Sequence, residues 1–413
     1  MTTEIPQAGP QTMIRVEEAD SLIRRHLPRY PTETVPLDQA HGRVLREDLY
    51  ADRDLPPFNR ATMDGIAIAG AARDRDTREF RIEATIHAGE QPPSLSNPET
   101  GCVLIMTGAA LPPACDCVIP IEELTIRDGC ARREPGTDVQ AFQHVHRQGS
   151  DRMAGDRIWP AGSRLNAVHM ALAASIGRSR LQTAKYPRLA VITTGNEIVA
   201  VDRKAGPFQI RSSNDQAIRT ALLRSGFPDS GRYHIRDDRQ ETESVLKEAL
   251  KAHDGIILTG GVSMGQQDFV PDSLESLGVR CIFHKVRQRP GKPFWFGVTP
   301  DHKPVFALPG NPVSTLVCLH RFVVPHLEAA LGVHPPRPVF AVLEEDVVFT
   351  SPLTYHVPVK IESRSDGRIC AWPVPTHTSG DLASLQQSQG FVELPPAESI
   401  APRGTTAPYF RWI

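Results

Sequence analysis

The sequence predicts a multidomain α/β plus β protein, in which a doubly wound α/β domain is joined to two small β-barrels. Three observations carry that prediction. Apolar strand-like runs alternate with amphipathic helical patterns from Leu189 to Leu331. Residues 78–143 are dense in short strands separated by turn residues. Residues 334–413 are proline-rich and carry further short strands.

Taken in order, residues 1–12 are polar and proline-bearing and read as a disordered tail. Residues 13–27 carry Ile14, Ala19, Leu22, Ile23 and Leu27 on roughly one helical stripe, with Pro28 behind them. After short β-like runs comes Leu55-Pro56-Pro57, a rigid approach to the turn Asp64-Gly65 and the strand at Ile66 to Ile68. Within 78–143 the expected strands include Phe80–Ile82, Cys102–Met106 and Cys117–Pro120. Thr107-Gly108 ends the second of these. His144 and His146 are expected at the surface. An alanine-rich helix is expected from Ala167 to Ile176, ended by Gly177.

The α/β alternation follows. Strands are expected at Leu189–Thr193, Tyr233–Ile235, Ile256–Leu258 and Pro304–Leu308, and helices at Asn214–Ser225, Gln240–Ala252 and beyond Pro312, where Pro325 is a candidate kink. The stretch Gly255–Asp272 is the most informative. Its apolar run stops at Thr259-Gly260-Gly261, with Ser263, Gly265 and Asp268 next and a helix start at Pro271. Glycines let backbone N–H groups turn toward an anion, and a nearby carboxylate suits a hard cation on phosphate oxygens. The same residues also suit a tight turn that ends a core strand. The spacing is neither Walker A nor GxGxxG.

Polar residues recur just after the apolar strands: Thr194, Gly195 and Glu197; Asp237; Gly260, Gly261 and Asp268; Pro309, Gly310 and Asn311. In a doubly wound sheet these strand ends gather at one edge, where ligands bind. The expected cleft holds glycine turns and three carboxylates, with Lys285, Arg289 and Lys292 as candidate cations or as a solvated basic loop. Phosphates beside Glu197, Asp237 and Asp268 imply a divalent metal, most simply Mg²⁺.

Net charge of −2 gives no general argument for nucleic acid or anionic membrane. Seven scattered cysteines without a CxxC pair suit a reducing cytoplasm and exclude a disulfide framework. No apolar run reaches about 18 residues, so no spanning helix is expected.

The ordered motifs resemble one family. They are Met63-Asp64-Gly65, Met106-Thr107-Gly108, Gly149-x-Asp151, Thr194-Gly195-x-Glu197, Arg236-Asp237-Asp238, Gly260-Gly261-Val262-Ser263-x-Gly265, Asp268, Pro290-Gly291-Lys292-Pro293 and Leu308-Pro309-Gly310-Asn311-Pro312. As a set the chain is similar, from about residue 13 onward, to the molybdopterin molybdenumtransferases of the MoeA type, also found as the gephyrin E domain. The resemblance implies an elongated discontinuous domain (13–52 with 144–183), an inserted barrel (53–143), a molybdopterin-binding α/β domain (184–333) and a C-terminal barrel (334–413). It implies a homodimer with shared clefts, Asp64, Thr107 and Asp151 coming from the other subunit. The implied reaction takes adenylyl-molybdopterin and molybdate, inserts the metal at the dithiolene and releases AMP with Mg²⁺. Asp64, Glu197, Asp237 and Asp268 match the family's catalytic acids. Thr107 and Asp151, with Lys285, Arg289 and Lys292, match substrate-binding positions. The molybdopterin adenylyltransferase is an implied partner.

Three motifs depart from the family pattern. Asn59 and Arg60 replace Asp and Asn; His146 and Ser150 replace Arg and Glu; Ser212 replaces the Asp of Asp-Ser/Thr-Asn. They raise an alternative, a catalytically weakened paralogue that binds or delivers molybdopterin or its cofactor. On that alternative, restoring Asp at position 212 raises activity.

Overall fold

A computed structural model describes residues 13–136, 138–228, 230–262, 269–335, 337–396 and 400–412. The tail reading of 1–12 and the readings at Ser263, Gly265 and Asp268 lie outside the described residues.

The central sheet has six strands: β1 (Leu189–Thr194), β2 (Gly231–Ile235), β3 (Gly255–Thr259), β4 (Arg280–His284), β5 (Trp295–Val298) and β6 (Pro304–Leu308), in the order β2-β1-β3-β6-β5-β4. β2, β1, β3 and β6 run parallel, while β5 and β4 add an antiparallel edge. Every residue of β1, β3, β5 and β6 is buried, which is why three of them read as unbroken apolar runs. β4 and β5 were not legible as strands. β4 is a half-exposed edge carrying Arg280 and His284, and β5 follows a proline-rich basic turn.

Alternation along the strands supplies two cores. Val191, Ile257 and Phe306 face Ile218, Leu222, Phe322 and Leu327. Ala190, Ile192, Ile256 and Leu258 face Leu246 and Leu274 on the other side. The run from Pro312 to Ala330 is helical throughout, with a π turn over Leu319–Val323 just before Pro325. Proline cannot donate to the preceding turn, and the wider turn absorbs the missing bond.

Upstream, Val16, Ala19 and Ile23 of the helix Val16–His26 join the first of these cores. Thr32–Pro36 pairs with Arg180–Ala184, and Leu49–Tyr50 with Arg157–Trp159, so segments on either side of residues 60–146 are stitched together. Between them lies a six-stranded sheet from Gly65–Ala69 to Cys130–Arg133. Beyond the α/β region, Thr354–Ser363 pairs with both Ile369–Pro373 and Gly390–Leu394, which closes the C-terminal strands into a barrel. Gln288–Arg289 adds to that barrel by pairing with Thr354–Tyr355.

A buried charge network pins the three parts together. Arg321 of the long helix donates to Asp20 of the first helix at 2.9 Å and to Glu393 of the barrel at 2.5 Å. His356 Nε2 lies 3.1 Å from the same carboxylate. Burial alone would push Glu393 up; the His356 hydrogen bond and the Arg321 charge outweigh it and hold the group at about 2, below its ordinary 4.5. A depressed carboxylate contributes stability above its unfolded value and loses it as pH falls through the folded one. We predict that Glu393→Gln costs about 3 kcal/mol at neutral pH by leaving Arg321 without that partner. Thermal melts from pH 7 down to about pH 3 should show the penalty shrinking below pH 4.5. A pH-independent penalty would remove Glu393 from acid sensitivity.

Candidate functional site

The parallel strands bring their carboxyl ends to one edge, and a cleft of about 590 Å³ opens there. Thr194, Gly195, Glu197, Asp237, Gly260, Gly261, Pro309, Gly310 and Asn311 all line it. The sequence reading placed these residues at strand ends, and the sheet brings them together.

The walls are close-fitted. Gly195 has φ +134, and a Cβ there would lie 2.5 Å from Glu197 Oε2, so the carboxylate folds back over the bare backbone. Asn196 and Asp237 exchange hydrogen bonds, each backbone N–H donating to the other's side-chain oxygen at 3.2 Å, which ties the loops after β1 and β2. Gly260 has φ +95; a Cβ would lie 2.5 Å from Thr194 Oγ1. Its N–H donates to Leu308 O at 3.1 Å. Asn214, at the start of its helix, donates through Nδ2 to Thr259 Oγ1 at 3.0 Å and to Gly310 O at 2.8 Å. Asn214, Arg211 and Ser213 also line the cleft and were not singled out as site residues. The only available signal was a helix start following an exposed loop.

A second cavity of about 490 Å³ adjoins the first and shares Pro293, Pro309 and Asn311 with it. Arg289 and Lys292 line it, one wall coming from the C-terminal barrel. Gly291 has φ +97, and a Cβ would press within 2.7 Å of Cys318 Sγ and 2.8 Å of Gln288 Nε2, so the turn between the two cations needs glycine. Asn311 Nδ2 donates to Ser379 Oγ at 2.7 Å, and Val313 N–H to Ser379 O at 3.1 Å. The polar barrel turn at 377–381 thereby forms part of the site, a role its composition did not signal. Lys285 lines neither cavity; its backbone is tied to Phe294 and Ile14. A one-dimensional cluster of basic residues does not resolve which of them a turn aims inward.

Asp64, Thr107 and Asp151 lie elsewhere, on the inserted sheet and its border. Asp64 Oδ1 accepts from both the hydroxyl and the N–H of Thr107 at 2.7 Å. The hydroxyl bond first, then the backbone bond, holds Asp64 below the usual carboxylate range. His146 Nδ1 lies 3.1 Å from Arg60 Nη2, and Nε2 lies 2.9 Å from Asp151 Oδ1. Arginine can only donate, so Nδ1 accepts and the Nε2–H donates to Asp151. Asp54 was not anticipated; it accepts from Gln148 Nε2 and Ala154 N–H at 2.9 Å each.

Two of the departures have a residue of the missing charge nearby: Arg60 beside His146, and Asp215, buried and outside the cleft lining, beside Ser212. Arg60 and His146 are register partners on adjacent strands, so the cation missing at 146 stands on its neighbour. Ser212 Oγ donates to Asp215 Oδ1 at 2.6 Å, and Arg232 Nε lies 2.6 Å from Asp215 Oδ2, so a buried acid stands three residues along. An Asp at 212 would bring a second carboxylate against Asp215.

Among the described residues no group of three or more histidine, cysteine or acidic side chains is set to hold a metal. Glu197 and Asp237 on one cleft still fit Mg²⁺, which takes one or two protein carboxylates and draws its other ligands from phosphates and water.

Family models match nearly the whole chain: "MoeA N-terminal region (domain I and II)" over residues 14–177, "Probable molybdopterin binding domain" over 190–329 and "MoeA C-terminal region (domain IV)" over 341–412. A molybdopterin molybdenumtransferase of Synechocystis sp. is 36% identical over 409 residues, covering 97% of this chain and 100% of that protein. One from Bacillus subtilis is 30% identical over 394 residues, covering 93% and 91%. The crystal structure of a molybdopterin biosynthesis moeA protein from Pyrococcus horikoshii superposes with a TM-score of 0.82 at 29% identity, covering 97% of this chain and 100% of that one.

Two variants test this geometry. Asn214→Ala should weaken calorimetrically measured AMP binding about tenfold while costing only about 1 kcal/mol of stability, because it unties the cleft loops without opening a core. Unchanged binding would make Asn214 a helix-start residue alone. Ser212→Asp should lower stability by about 2 kcal/mol through repulsion with Asp215 and should not raise turnover. A gain in turnover would reinstate the weakened-paralogue reading.

Proposed function

This chain belongs to the molybdopterin molybdenumtransferase family of the MoeA type, and we propose that it inserts molybdenum from molybdate into adenylyl-molybdopterin, releasing AMP in a Mg²⁺-dependent reaction. The observation that carries the reading is the pair of adjoining cavities, one walled by glycine turns and carboxylates, the other cationic, with Pro293, Pro309 and Asn311 in common. Such a pair suits a phosphate-bearing pterin beside a tetrahedral oxyanion.

In this reading the backbone at Gly260, Gly261 and Gly310 lets phosphates approach, and Asn214 orients the loops around them. Arg289 and Lys292 receive molybdate and offset its repulsion from the phosphates. Glu197 and Asp237 would hold Mg²⁺, which when bound neutralises phosphate charge; Asp268 is the proposed third acid. The dithiolene of the pterin ligates molybdenum, so the protein needs no thiolate or imidazole cage. Asp64 stays anionic at neutral pH because Thr107 solvates its charge with two hydrogen bonds. It acts with Thr107 and Asp151 across a homodimer, each cleft drawing these residues from a second copy. Arg60, which brings a cation beside His146, supports a turning-over enzyme over a binding-only paralogue.

AMP release from adenylyl-molybdopterin should require both molybdate and Mg²⁺. Release that ignores molybdate would overturn the assignment. Asp237→Asn and Asp64→Asn should each lose at least about a hundredfold in turnover while folding normally. Mixing the two inactive variants under subunit exchange should recover about a quarter of wild-type activity, since half the dimers are mixed and each has one intact cleft. No recovery would sink the shared cleft without touching the reaction itself.

A further inference from the structure

A cavity of about 370 Å³ lies far from this chemistry in sequence, where the end of the first helix, the Leu45-Arg46 segment, the turn at Ala161-Gly162 and the end of the long helix meet. Its lining contains Arg24, Arg29, Arg46 and His334 and no carboxylate. Among the described residues none of these four takes part in an ion pair. We propose that this junction binds a multiply charged oxyanion, either free or as the phosphomonoester of a small molecule.

Part of the charge has a local explanation. Arg46 Nη2 donates to Tyr30 O at 3.0 Å and to Ala330 O at 3.3 Å, covering a carbonyl at the end of the helix Val324–Ala330. Arg24 sits in the last turn of the helix Val16–His26, where a cation is favourable. Arg29 and His334 have no such local role, and no acid lines the cavity. Arg46 also keeps a buried Nε that meets no acceptor. Burial first, and the charge of Arg29 second, push Arg46 below the usual arginine range, so the two guanidiniums repel each other in place. A bound anion offsets that repulsion.

The backbone is shaped for close approach. A Cβ on Gly162 (φ +87) would lie 2.7 Å from His334 Nε2, and one on Gly332 (φ +83) would lie 2.5 Å from Arg46 Nη1. Both glycines stand where a side chain would displace a nitrogen donor group of the cavity. Leucine, proline and alanine line the rest, which leaves room for an apolar body behind the charged head. Because the walls come from the N-terminal region and the end of the α/β region, the ligand would tie those parts together.

The test is calorimetric titration of the full chain with inorganic phosphate and, separately, phenyl phosphate, at ionic strength held constant with chloride. Saturable binding is expected for the wild type. Arg24→Glu/Arg29→Glu, both on exposed side chains, should weaken it at least about tenfold. In the Arg289→Ala/Lys292→Ala background, where the cleft's own oxyanion cations are gone, a saturable site should remain and should be the one that the Arg24/Arg29 variant weakens, which separates this site from the cleft. Tighter phenyl phosphate assigns the monoester; equal or tighter phosphate assigns the free ion. If the double glutamate variant melts early, Arg24→Gln/Arg29→Gln gives the same reading with less repulsion. No saturable binding below about 10 mM, or binding lost only in the Arg289/Lys292 variant, overturns the proposal.

Discussion

Thr259 closes β3 with a hydroxyl that donates to Pro309 O at 3.0 Å, while Thr315 Oγ1 reaches the same carbonyl at 2.7 Å and Asn214 reaches Thr259 Oγ1. Gly260 then stacks under Gly310, where an added Cβ would lie 3.5 Å from the Gly260 Cα. This junction holds the loops after β3 and β6 in backbone contact. Thr259 and Thr315 are buried, so their hydroxyls must be satisfied internally, and the loops have little freedom to part. Both cavities border this junction through Pro309 and Asn311.

Charge is distributed so that each sign has its own support. The cleft acids stand at strand ends, and Asp237 is anchored by Asn196 rather than by a cation. The cations Arg289 and Lys292 stand one turn apart across Gly291, on a segment that pairs with the C-terminal barrel. Because acids and cations are not spent on one another, both remain available to an anionic substrate with its counter-ion. The paired ions Asp20, Arg321 and Glu393 lie at a seam between structural parts. Such pairs fix relative orientation, and the second cavity borders the same barrel through His356.

Much of this was legible in one dimension. Buried parallel strands are continuous apolar runs, so β1, β3 and β6 announce themselves, and the polar residues that follow them must share an edge. Elements without that pattern were not legible. β4 is a half-exposed edge, and β5 is short and follows Lys292-Pro293. Among basic residues, Lys285, Arg289 and Lys292 look alike in sequence, but a turn with its own hydrogen bonds aims two of them into a cavity and leaves the first outside. At His146 and Ser212 the sequence shows only a lost charge; strand register sets Arg60 beside the first, and a helical turn sets buried Asp215 beside the second.

By itself the sequence determined the fold class, the family and the cleft residues that follow the apolar strands, because hydrophobic periodicity and ordered motifs are properties of the chain. Tertiary structure decided which of those residues meet, how Asn214 and Ser379 enter the site, and where three arginines and a histidine gather without an acid. Those are matters of packing between distant segments, and distance along the chain carries no information about distance across a cleft.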